Sequence, residues 1–315
     1  MKKTILALKP LLEAEMALLD ETYEVMRLWE QDDRAGFLAS QGGEFEGLVS
    51  TYDGEKVGAG LLESLPNLKV IAQFGAGYDN IDLAALKARG IVLSNTPDVL
   101  TDDTADIAML LLLNAARRGV AADQYLRNGR WKEEGPFPLT TCLSGKVAGI
   151  FGMGKIGQAI ARRAAAFNMT IKYCSRTEKS DIPYDYYGKL QALARECDFL
   201  ILACSGGPET QHAVNREVLE ALGPSGYLIN IARGSVVKED DLIAALEAGE
   251  IAGAGLDVFA NEPNVSERLI NREDVVLSPH VGSATRETRS KMGRLVVENL
   301  NAFFAGKALV TPVVA

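Results

Sequence analysis

Short apolar runs alternate with helical patterns along the whole chain. In the first third these runs are Thr4–Leu8, Gly47–Ser50, Leu68–Gln73 and Ile91–Ser94. In the middle they are Val147–Phe151, Thr170–Cys174, Phe199–Ala203, Tyr227–Ile231, Gly253–Val258 and Val275–Leu277. Because the runs are almost continuously apolar, they predict strands that helices cover on both faces, as is typical of parallel α/β sheets.

Helical patterns with recognisable ends separate these runs. The segment Asp82–Arg89 is followed by Gly90, a residue that commonly closes helices. The segments 101–118 and 286–304 predict longer helices, and the first ends in two arginines, which favour the negative end of a helix dipole. A further helix is expected over Ile156–Phe167.

Two strand-to-turn segments resemble each other and indicate two doubly wound parallel sheets. They are VIAQFGAGYDN over Val70–Asn80 and VAGIFGMGKIG over Val147–Gly157, each an apolar strand that leads into a Gly-x-Gly turn. After the helix at 286–304 the chain is too short to form another domain. We therefore expect a discontinuous first domain, 1–98 with 288–315, an inserted second domain, 99–287, and a cleft between them.

Composition narrows the class of partner. The 315 residues include 33 Lys and Arg against 42 Asp and Glu, for a formal net charge of −9. An acidic chain without a long basic run argues against nucleic acid or an anionic membrane as the main partner. The N-terminal apolar run stops at Lys9, and the run Ile107–Leu113 is too short to span a bilayer, so we expect a soluble, cytoplasmic protein.

Cysteine and histidine limit the chemistry. The four cysteines, Cys142, Cys174, Cys197 and Cys204, form no CxxC pair, so we expect reduced, mostly buried thiols and no metal site. There are only two histidines, His212 and His280. An enzyme that needs an imidazole would therefore have two candidates.

The sequence GMGKIG predicts a dinucleotide-binding turn. Its residues are Gly152, Gly154, Lys155, Ile156 and Gly157, and they lie between a predicted strand and a predicted helix. In that context the first glycine permits a tight turn, the second lets a pyrophosphate approach the backbone, and the third lets the helix pack on the strand. The helix N-terminus adds partial positive charge.

The end of the next strand favours NADP(H), with NAD(H) also possible. A carboxylate usually binds the ribose of NAD at this place, but the chain has Ser175, Arg176 and Thr177 there. Two hydroxyls and a guanidinium suit a 2′-phosphate. If Arg176 only stacks on the adenine, NAD(H) remains usable.

Three segments at predicted strand ends carry candidate catalytic side chains. They are INIARGSVV with Arg233, GLDVFANEP with Glu262 and LSPHVGSAT with His280. Ligands of open α/β sheets bind at the carboxyl ends of strands. Each side chain taken alone could instead be structural: a paired arginine, a surface turn residue or a core histidine.

Taken in order, the motifs resemble those of the D-isomer-specific 2-hydroxyacid dehydrogenases, most closely their glyoxylate/hydroxypyruvate reductase branch. The resemblance covers nearly the whole chain and rests on FGAGYDNID, NTPDVLTDDTADIAM, GMGKIG, NIARG, GLDVFANEP and PHVGSAT. It implies a flavodoxin-like substrate domain, a Rossmann cofactor domain and a homodimer. It also implies NADPH-dependent reduction of glyoxylate or hydroxypyruvate to glycolate or D-glycerate.

The resemblance implies roles that suit the chemistry of the side chains. Arg233 would pair with the substrate carboxylate and polarise the keto oxygen. His280 would protonate the oxygen at C2 as hydride arrives. Glu262 would hold the imidazole and favour its charged form.

Further residues are expected around this set. Backbone N–H groups of Gly75, Ala76 and Gly77 suit a substrate carboxylate, and the loop Ser50–Asp53 is a second candidate lining. The resemblance adds four cofactor positions, which are Thr104, Ile231, Asp257 and Gly282. It also places Trp131 at the start of a dimer loop within Asn128–Thr141, whereas we interpret His212 as structural.

Two alternatives remain open at this point. One is a reductase of 2-ketogluconate-type substrates from the same family. The other is a nucleotide-sensing protein similar to the family's corepressors, in which cofactor occupancy changes partner affinity. A methyltransferase is disfavoured because it has no use for the set Arg233, Glu262 and His280.

Overall fold

The computed structural model describes residues 2–52 and 54–313, and the chain forms two compact units. The first unit consists of the stretch up to Leu100 and the stretch from Ser283 onward. The second unit is Thr101–Gly282. The domain boundaries predicted from the sequence, 98/99 and 287/288, are close to the boundaries between these units.

The first unit contains a parallel five-stranded sheet. Its strands are β1 (Thr4–Ala7), β2 (Glu24–Arg27), β3 (Gly47–Thr51), β4 (Val70–Phe74) and β5 (Val92–Ser94). The strand order is β2-β1-β3-β4-β5, and every neighbouring pair is parallel. This order is that of flavodoxin-like folds, as expected. The helices between its strands are α1 (Glu13–Thr22), α2 (Arg34–Gln41), α3 (Ala59–Glu63) and α4 (Leu83–Arg89).

The second unit contains a parallel seven-stranded sheet. Its strands are β6 (Val147–Phe151), β7 (Thr170–Cys174), β8 (Asp185–Tyr187), β9 (Phe199–Leu202), β10 (Tyr227–Asn230), β11 (Gly253–Leu256) and β12 (Val275–Leu277). The strand order is β12-β11-β10-β9-β6-β7-β8. From β8 to β11 this is the order of a Rossmann sheet, extended by β12. The predicted fold class is thereby confirmed.

The helices of the second unit cover both faces of its sheet. They are α5 (Thr101–Arg117), α6 (Gly119–Arg127), α7 (Arg130–Glu134), α8 (Lys155–Ala166), α9 (Leu190–Arg195), α10 (Arg216–Leu222), α11 (Glu239–Glu247) and α12 (Glu267–Ile270). The core is divided by the sheet into two clusters of buried apolar side chains, one containing Ile150 and Ile201 and the other Leu200 and Leu202. Neighbouring residues of a strand therefore pack on opposite faces.

The C-terminal segment completes the first unit. Helix α13 (Arg286–Phe304) contacts β4, and the chain then returns to β5. Pro312 forms a bridge with Ser94, and the N–H of Val313 donates to the carbonyl of Leu93 at 2.8 Å. The residues after the long helix thus belong to the sheet from which the chain began.

The segment Asn128–Thr141, expected to project, packs partly against its own neighbours. Tyr125 donates its hydroxyl to the carbonyl of Gly135 at 2.9 Å, and its ring lies 5.3 Å from that of Phe137. The side chain of Leu139 is nevertheless wholly exposed. Within the residues that the structure describes, every helix is too short or too polar to cross a bilayer.

Candidate active site

The glycine turn between β6 and α8 has the shape that the motif requires. Gly152 adopts φ +100°, and a Cβ there would lie 2.5 Å from the backbone nitrogen of Cys204. A Cβ on Gly157 would overlap the carbonyl oxygen of Gly152. At Gly154, by contrast, no atom of the described residues other than its own chain neighbours comes within 4 Å of an added Cβ. Gly152 and Gly157 therefore permit close packing against neighbouring backbone, whereas Gly154 leaves the backbone open on its outer side.

The N-terminus of α8 is suited to an anion. The helix begins at Lys155 after Gly154, and no side chain of the described residues caps it. A twelve-residue helix with uncapped N–H groups carries partial positive charge at that end. The open backbone at Gly154 and the helix end beside it fit a dinucleotide pyrophosphate.

Two glycine substitutions separate cofactor binding from folding. We expect Gly154→Ala to weaken binding of a nicotinamide dinucleotide about tenfold or more, because the added methyl group would occupy the predicted approach of the pyrophosphate. Its φ of −78° is compatible with alanine, so the melting temperature stays unchanged. Gly157→Ala instead lowers the free energy of unfolding by about 1–3 kcal/mol, because the helix must move off the strand. Fluorescence titration with NADPH and thermal unfolding measure the two effects, and equal destabilisation by both variants would contradict the assignment.

The end of β7 presents a guanidinium to solvent. The side chain of Arg176 is 89% exposed, and its Nη1 lies 3.8 Å from Oε2 of Glu209. Ser175 and Thr177 flank it, and the Ser175 hydroxyl donates to the Thr177 carbonyl at 2.7 Å. Sequence reasoning found no carboxylate at this strand end and missed Glu209, which arrives from the loop after β9. The signal that could have indicated it was its position after β9, whose carboxyl end lies at the same edge of the sheet as that of β7.

Three predicted cofactor residues lie together in the second unit. Asp257 is 1% exposed, and its two carboxylate oxygens accept the N–H groups of Val281 and Gly282, each at 2.9 Å. A Cβ on Gly282 would lie 3.2 Å from the Asp257 carboxylate and 3.5 Å from the methyl group of Thr104. Asp257 therefore holds the backbone of this turn in place. Ile231, the fourth predicted position, is buried directly after β10.

Burial governs the protonation of Asp257. Loss of solvent raises the pKa of this carboxyl above its usual value, although hydrogen bonds from Val281, Ser278 and Gly282 and the nearby His280 act in the opposite direction. The N–H groups it accepts still require an acceptor at every pH. The carboxyl is thus a structural support for the turn that carries His280.

Arg233, Glu262 and His280 follow three adjacent strands of one sheet. Arg233 lies just beyond β10, Glu262 in the loop after β11, and His280 just beyond β12. Since β10, β11 and β12 are parallel neighbours, their carboxyl ends share one edge. The structure therefore brings the three predicted catalytic residues to the same edge of the second unit.

Glu262 and His280 are in direct contact. Oε2 of Glu262 lies 2.7 Å from Nδ1 of His280, and Oε1 accepts the N–H of Phe259 at 2.9 Å. The backbone of His280 is fixed as well, because its N–H donates to the carbonyl of Asp257 at 2.8 Å. With Nδ1 bound to a carboxylate, Nε2 is the ring nitrogen that can exchange a proton with a substrate.

Charges around Glu262 keep it ionised. Burial raises its pKa, but the hydrogen bonds from His280 and Phe259 and the positive charges of His280 and Arg233 outweigh burial, so the pKa is lowered overall. The stability that a lowered pKa contributes is present above the unfolded-state value and is lost as pH falls through the folded-state value. The carboxylate beside the imidazole therefore persists into mildly acidic solution.

Short-range hydrogen bonds hold the backbone at Arg233. Asn230 accepts the N–H of Ala232 at 3.0 Å and donates to the carbonyl of Arg233 at 3.0 Å. The guanidinium itself donates to the carbonyl of Ala232 at 2.7 Å. The arginine thus extends from a rigid turn and remains half-buried.

In the first unit, the Gly75–Gly77 turn follows β4. The N–H of Gly75 donates to the Thr96 hydroxyl at 3.0 Å, which corrects the expectation that all three amides would be available to a substrate. Asn95 donates to the Ala76 carbonyl at 2.7 Å. In the described part of the chain, the N–H groups of Ala76 and Gly77 donate to no protein acceptor, so these two amides remain candidates.

Ser50 differs from its expected place on the lining of a site. It is fully buried, and its hydroxyl donates to Oε1 of Gln73 at 2.5 Å. Gln73 in turn donates to the carbonyl of Gly77 at 3.2 Å. Ser50 therefore supports the turn from below, because a hydroxyl at a fully buried strand position cannot contact a ligand. Asp53, the end of the predicted loop, lies outside the described residues.

The second histidine is joined by its backbone to the segment that follows β10. His212 is exposed, and its backbone N–H donates to the carbonyl of Ser235 at 2.8 Å. In the described stretches, no group of three or more His, Cys, Asp or Glu side chains is arranged to hold a metal ion.

Comparisons with known proteins identify relatives of this chain. A family model described as D-isomer specific 2-hydroxyacid dehydrogenase, NAD binding domain, matches residues 109–282. A hydroxyphenylpyruvate reductase of Plectranthus scutellarioides is 48% identical over 296 residues, 94% of each chain. A 2-ketogluconate reductase of Gluconobacter oxydans is 44% identical over 266 residues, 84% of this chain and 86% of the other.

A solved structure with similarity over nearly its whole length carries a bound nucleotide. It is the NADPH-dependent glyoxylate/hydroxypyruvate reductase of Sinorhizobium meliloti in complex with NADP and malonate. It is 43% identical to this chain, with a TM-score of 0.92 and coverage of 99% of this chain and 97% of the other.

Proposed function

The chain belongs to the D-isomer-specific 2-hydroxyacid dehydrogenase family, and we propose that it reduces glyoxylate and hydroxypyruvate to glycolate and D-glycerate with NADPH. The observation that carries this proposal is the contact between Glu262 and His280 at the strand edge that also carries Arg233. A charged hydrogen-bonding group for a carboxylate and an oriented imidazole are what reduction of a 2-keto acid requires.

His280 is assigned the proton transfer. When bound, the reduced nicotinamide supplies the hydride that adds to C2. As C2 is reduced, the imidazolium of His280 gives one proton to the oxygen on that carbon and becomes neutral. In the reverse direction the neutral ring takes the hydroxyl proton. Glu262 holds the ring by Nδ1 and stabilises its positive charge.

Arg233 and the first unit's amides are assigned to the substrate carboxylate. The guanidinium of Arg233 offers a planar pair of donors that matches a carboxylate, and its charge polarises the neighbouring keto oxygen. In the first unit, the N–H groups of Ala76 and Gly77 are oriented donors of the kind that bind anions. In this assignment, His280 and Arg233 are the two charged side chains that contact the reacting atoms of the substrate.

Arg176 is assigned to the 2′-phosphate of NADPH. An exposed guanidinium beside two hydroxyl-bearing residues, directly after β7, supports this assignment. The similar reductase of Sinorhizobium meliloti is NADPH-dependent, which supports it further. NADH remains usable, because Arg176 is not needed for the rest of the nucleotide. The other expected cofactor contacts, Thr104, Ile231, Asp257 and Gly282, stay part of this proposal.

Removal of the Arg176 side chain tests the nucleotide preference. We expect Arg176→Ala to raise KM for NADPH about ten- to hundredfold, because it loses a charge-assisted contact, and to leave KM for NADH unchanged. Arg216→Ala is the matched control, since that arginine is also exposed and in the second unit. Steady-state kinetics with both nucleotides measure the effect, and an unchanged KM for NADPH would remove Arg176 from the phosphate site.

A substrate panel tests the reaction itself. NADPH oxidation is followed with glyoxylate, hydroxypyruvate, pyruvate, hydroxyphenylpyruvate and 2-ketogluconate, and the series is repeated with NADH. We expect the highest kcat/KM with glyoxylate or hydroxypyruvate. If 2-ketogluconate is the best substrate, the alternative favoured by the Gluconobacter oxydans relative holds instead. If no 2-keto acid is reduced, a nucleotide-sensing, corepressor-like protein becomes the better interpretation.

We further propose a cytoplasmic homodimer. Two exposed apolar side chains lie within the segment 128–141, which is expected to mediate association: Trp131 at 61% exposure in α7 and Leu139 at 100% after it. A dimer contact through this segment would remove both side chains from water, which favours association. The four free thiols suit a reducing compartment. Light scattering after gel filtration gives the mass that tests the dimer.

A further inference from the structure

Two opposite charges of the second unit meet at the carboxyl edge of its sheet. Arg176 follows β7 and Glu209 lies in the loop after β9, and both of these strands pair with β6. Nη1 of Arg176 lies 3.8 Å from Oε2 of Glu209, and both side chains are largely exposed. The guanidinium that we assign to the 2′-phosphate of NADPH therefore has an anionic neighbour within the chain itself.

Two tyrosines hold the backbone on the arginine side of this pair. The hydroxyl of Tyr186 donates to the carbonyl of Ser175 at 3.2 Å. The N–H of Lys179 donates to the hydroxyl of Tyr173 at 2.8 Å. Because these bonds fix the chain before and after Arg176, the fold determines where its guanidinium extends.

The loop on the glutamate side is closed by Thr210. Its hydroxyl donates to the carbonyl of Ser205 at 2.7 Å, and its N–H donates to the carbonyl of Gly207 at 3.1 Å. Gly207 adopts φ +136°, a conformation that favours glycine. Glu209 therefore extends from a closed turn, so that local backbone contacts position both members of the pair.

Exposure makes this ion pair easy to exchange for another partner. A pair between exposed side chains contributes little to the free energy of unfolding. A phosphate monoester carries about two negative charges at neutral pH, against one on a carboxylate, and it offers three acceptor oxygens to a guanidinium. The phosphate is thus the stronger partner for Arg176, but it must displace Glu209 and tolerate a like charge beside it.

We propose that Glu209 sets the nucleotide preference of this chain by competing with the 2′-phosphate of NADPH for Arg176. The inference rests on the proposed use of NADPH and specifies the residue that limits it. NADH has a hydroxyl in place of this phosphate, so its binding leaves the ion pair intact. Glu209 therefore lowers the affinity for NADPH without an equal loss for NADH, which keeps both nucleotides usable.

Fluorescence titration of Glu209→Gln with each nucleotide tests the competition. Glutamine keeps the size of the side chain and removes its charge. We expect Kd for NADPH to fall about three- to tenfold and Kd for NADH to stay within about twofold. The ratio of the wild-type Kd for NADPH to that of the variant should approach one as ionic strength rises, because salt screens exposed charges. The melting temperature should stay at that of wild type.

Glu247→Gln is the matched control. It also removes one negative charge from an exposed carboxylate of the second unit that is paired with an exposed arginine, Arg268, at 2.7 Å. We expect the affinities of this variant for NADPH and NADH to equal those of wild type. An equal gain for both nucleotides in Glu209→Gln, an equal gain in the control, or a gain that salt leaves unchanged would overturn the competition.

The double variant Arg176→Ala/Glu209→Gln shows whether Glu209 acts through the arginine. Measured against Arg176→Ala alone, the loss of the Glu209 charge should change Kd for NADPH by less than about twofold, because the guanidinium in dispute is absent. A gain as large as in the wild-type background would contradict the proposal.

These titrations need no turnover, so they separate the role of Glu209 from the proposed reaction. If wild type reduces no 2-keto acid but the titrations give the expected pattern, the proposed reaction fails while the role of Glu209 holds. If Arg176→Ala weakens NADPH binding and Glu209→Gln leaves it unchanged, the phosphate site holds and the role of Glu209 fails.

Discussion

We expect His280→Ala to lower kcat about 10²- to 10⁴-fold, the usual effect of losing a positioned general acid. The imidazole is the group assigned to protonate the C2 oxygen, and its Nδ1 is already 2.7 Å from a carboxylate. Without it, hydride addition would leave an alkoxide with no proton donor in place. KM for NADPH should change little, since none of the assigned cofactor contacts involves this side chain.

The other histidine provides the control for this prediction. His212→Ala removes an exposed imidazole whose local structure depends on its backbone N–H, so we expect kcat to change by less than about twofold. Free imidazole in the assay should restore part of the activity of His280→Ala and none in a variant that has lost its fold. A decrease in kcat below about threefold for His280→Ala would reject this residue as the general acid.

Glu262→Gln separates charge from geometry at the same pair. Glutamine still offers an oxygen to Nδ1 but carries no charge, so the imidazolium loses its main electrostatic support. The rate should therefore fall less than in His280→Ala, because the ring keeps a hydrogen-bond partner at Nδ1, and steady-state kinetics of the two variants measure the difference. Because the pKa of Glu262 itself is lowered, wild type should keep this support into mildly acidic solution.

The fold could be predicted from the chain wherever strands are covered on both faces. Strands such as β9, in which every residue is buried, leave a continuous apolar run in the sequence. Two edge strands have no such run and were missed. Glu24–Arg27 begins and ends with charged residues, and Asp185–Tyr187 is short and polar. These two segments are strands because they pair with a neighbouring strand, and a local sequence pattern does not show that pairing.

Only those parts of the candidate site that have a local sequence pattern could be predicted. A glycine turn and side chains that directly follow apolar runs are visible in the sequence, because the carboxyl ends of parallel strands meet at one edge. The contact between Arg176 and Glu209 joins the loops after two different strands, and no spacing rule indicates it. The burial of Ser50 was also inaccessible, because only tertiary structure shows that Gln73 covers its hydroxyl.

Arg233→Ala is expected to lower kcat/KM for glyoxylate about 10²- to 10⁴-fold. Two charge-assisted hydrogen bonds at about 1.5–3 kcal/mol each would be lost with the planar fork. KM should rise and kcat should fall, because we assign to this one charge both the binding of the carboxylate and the polarisation of the keto oxygen as negative charge develops on it. The fold should be preserved, since Asn230 holds the local backbone without the guanidinium.

Graded variants distinguish this role from a structural one. Arg233→Lys restores a positive charge without the planar fork. Compared with Arg233→Ala, we expect it to reverse part of the increase in KM and little of the decrease in kcat. Guanidinium ion added to Arg233→Ala should raise the rate with glyoxylate, whereas Arg216→Ala, with its exposed side chain, should behave as wild type throughout. Melting temperatures near that of wild type together with these losses place the arginine on the substrate. A large fall in melting temperature, with no rescue by guanidinium, would instead show that Arg233 serves the fold.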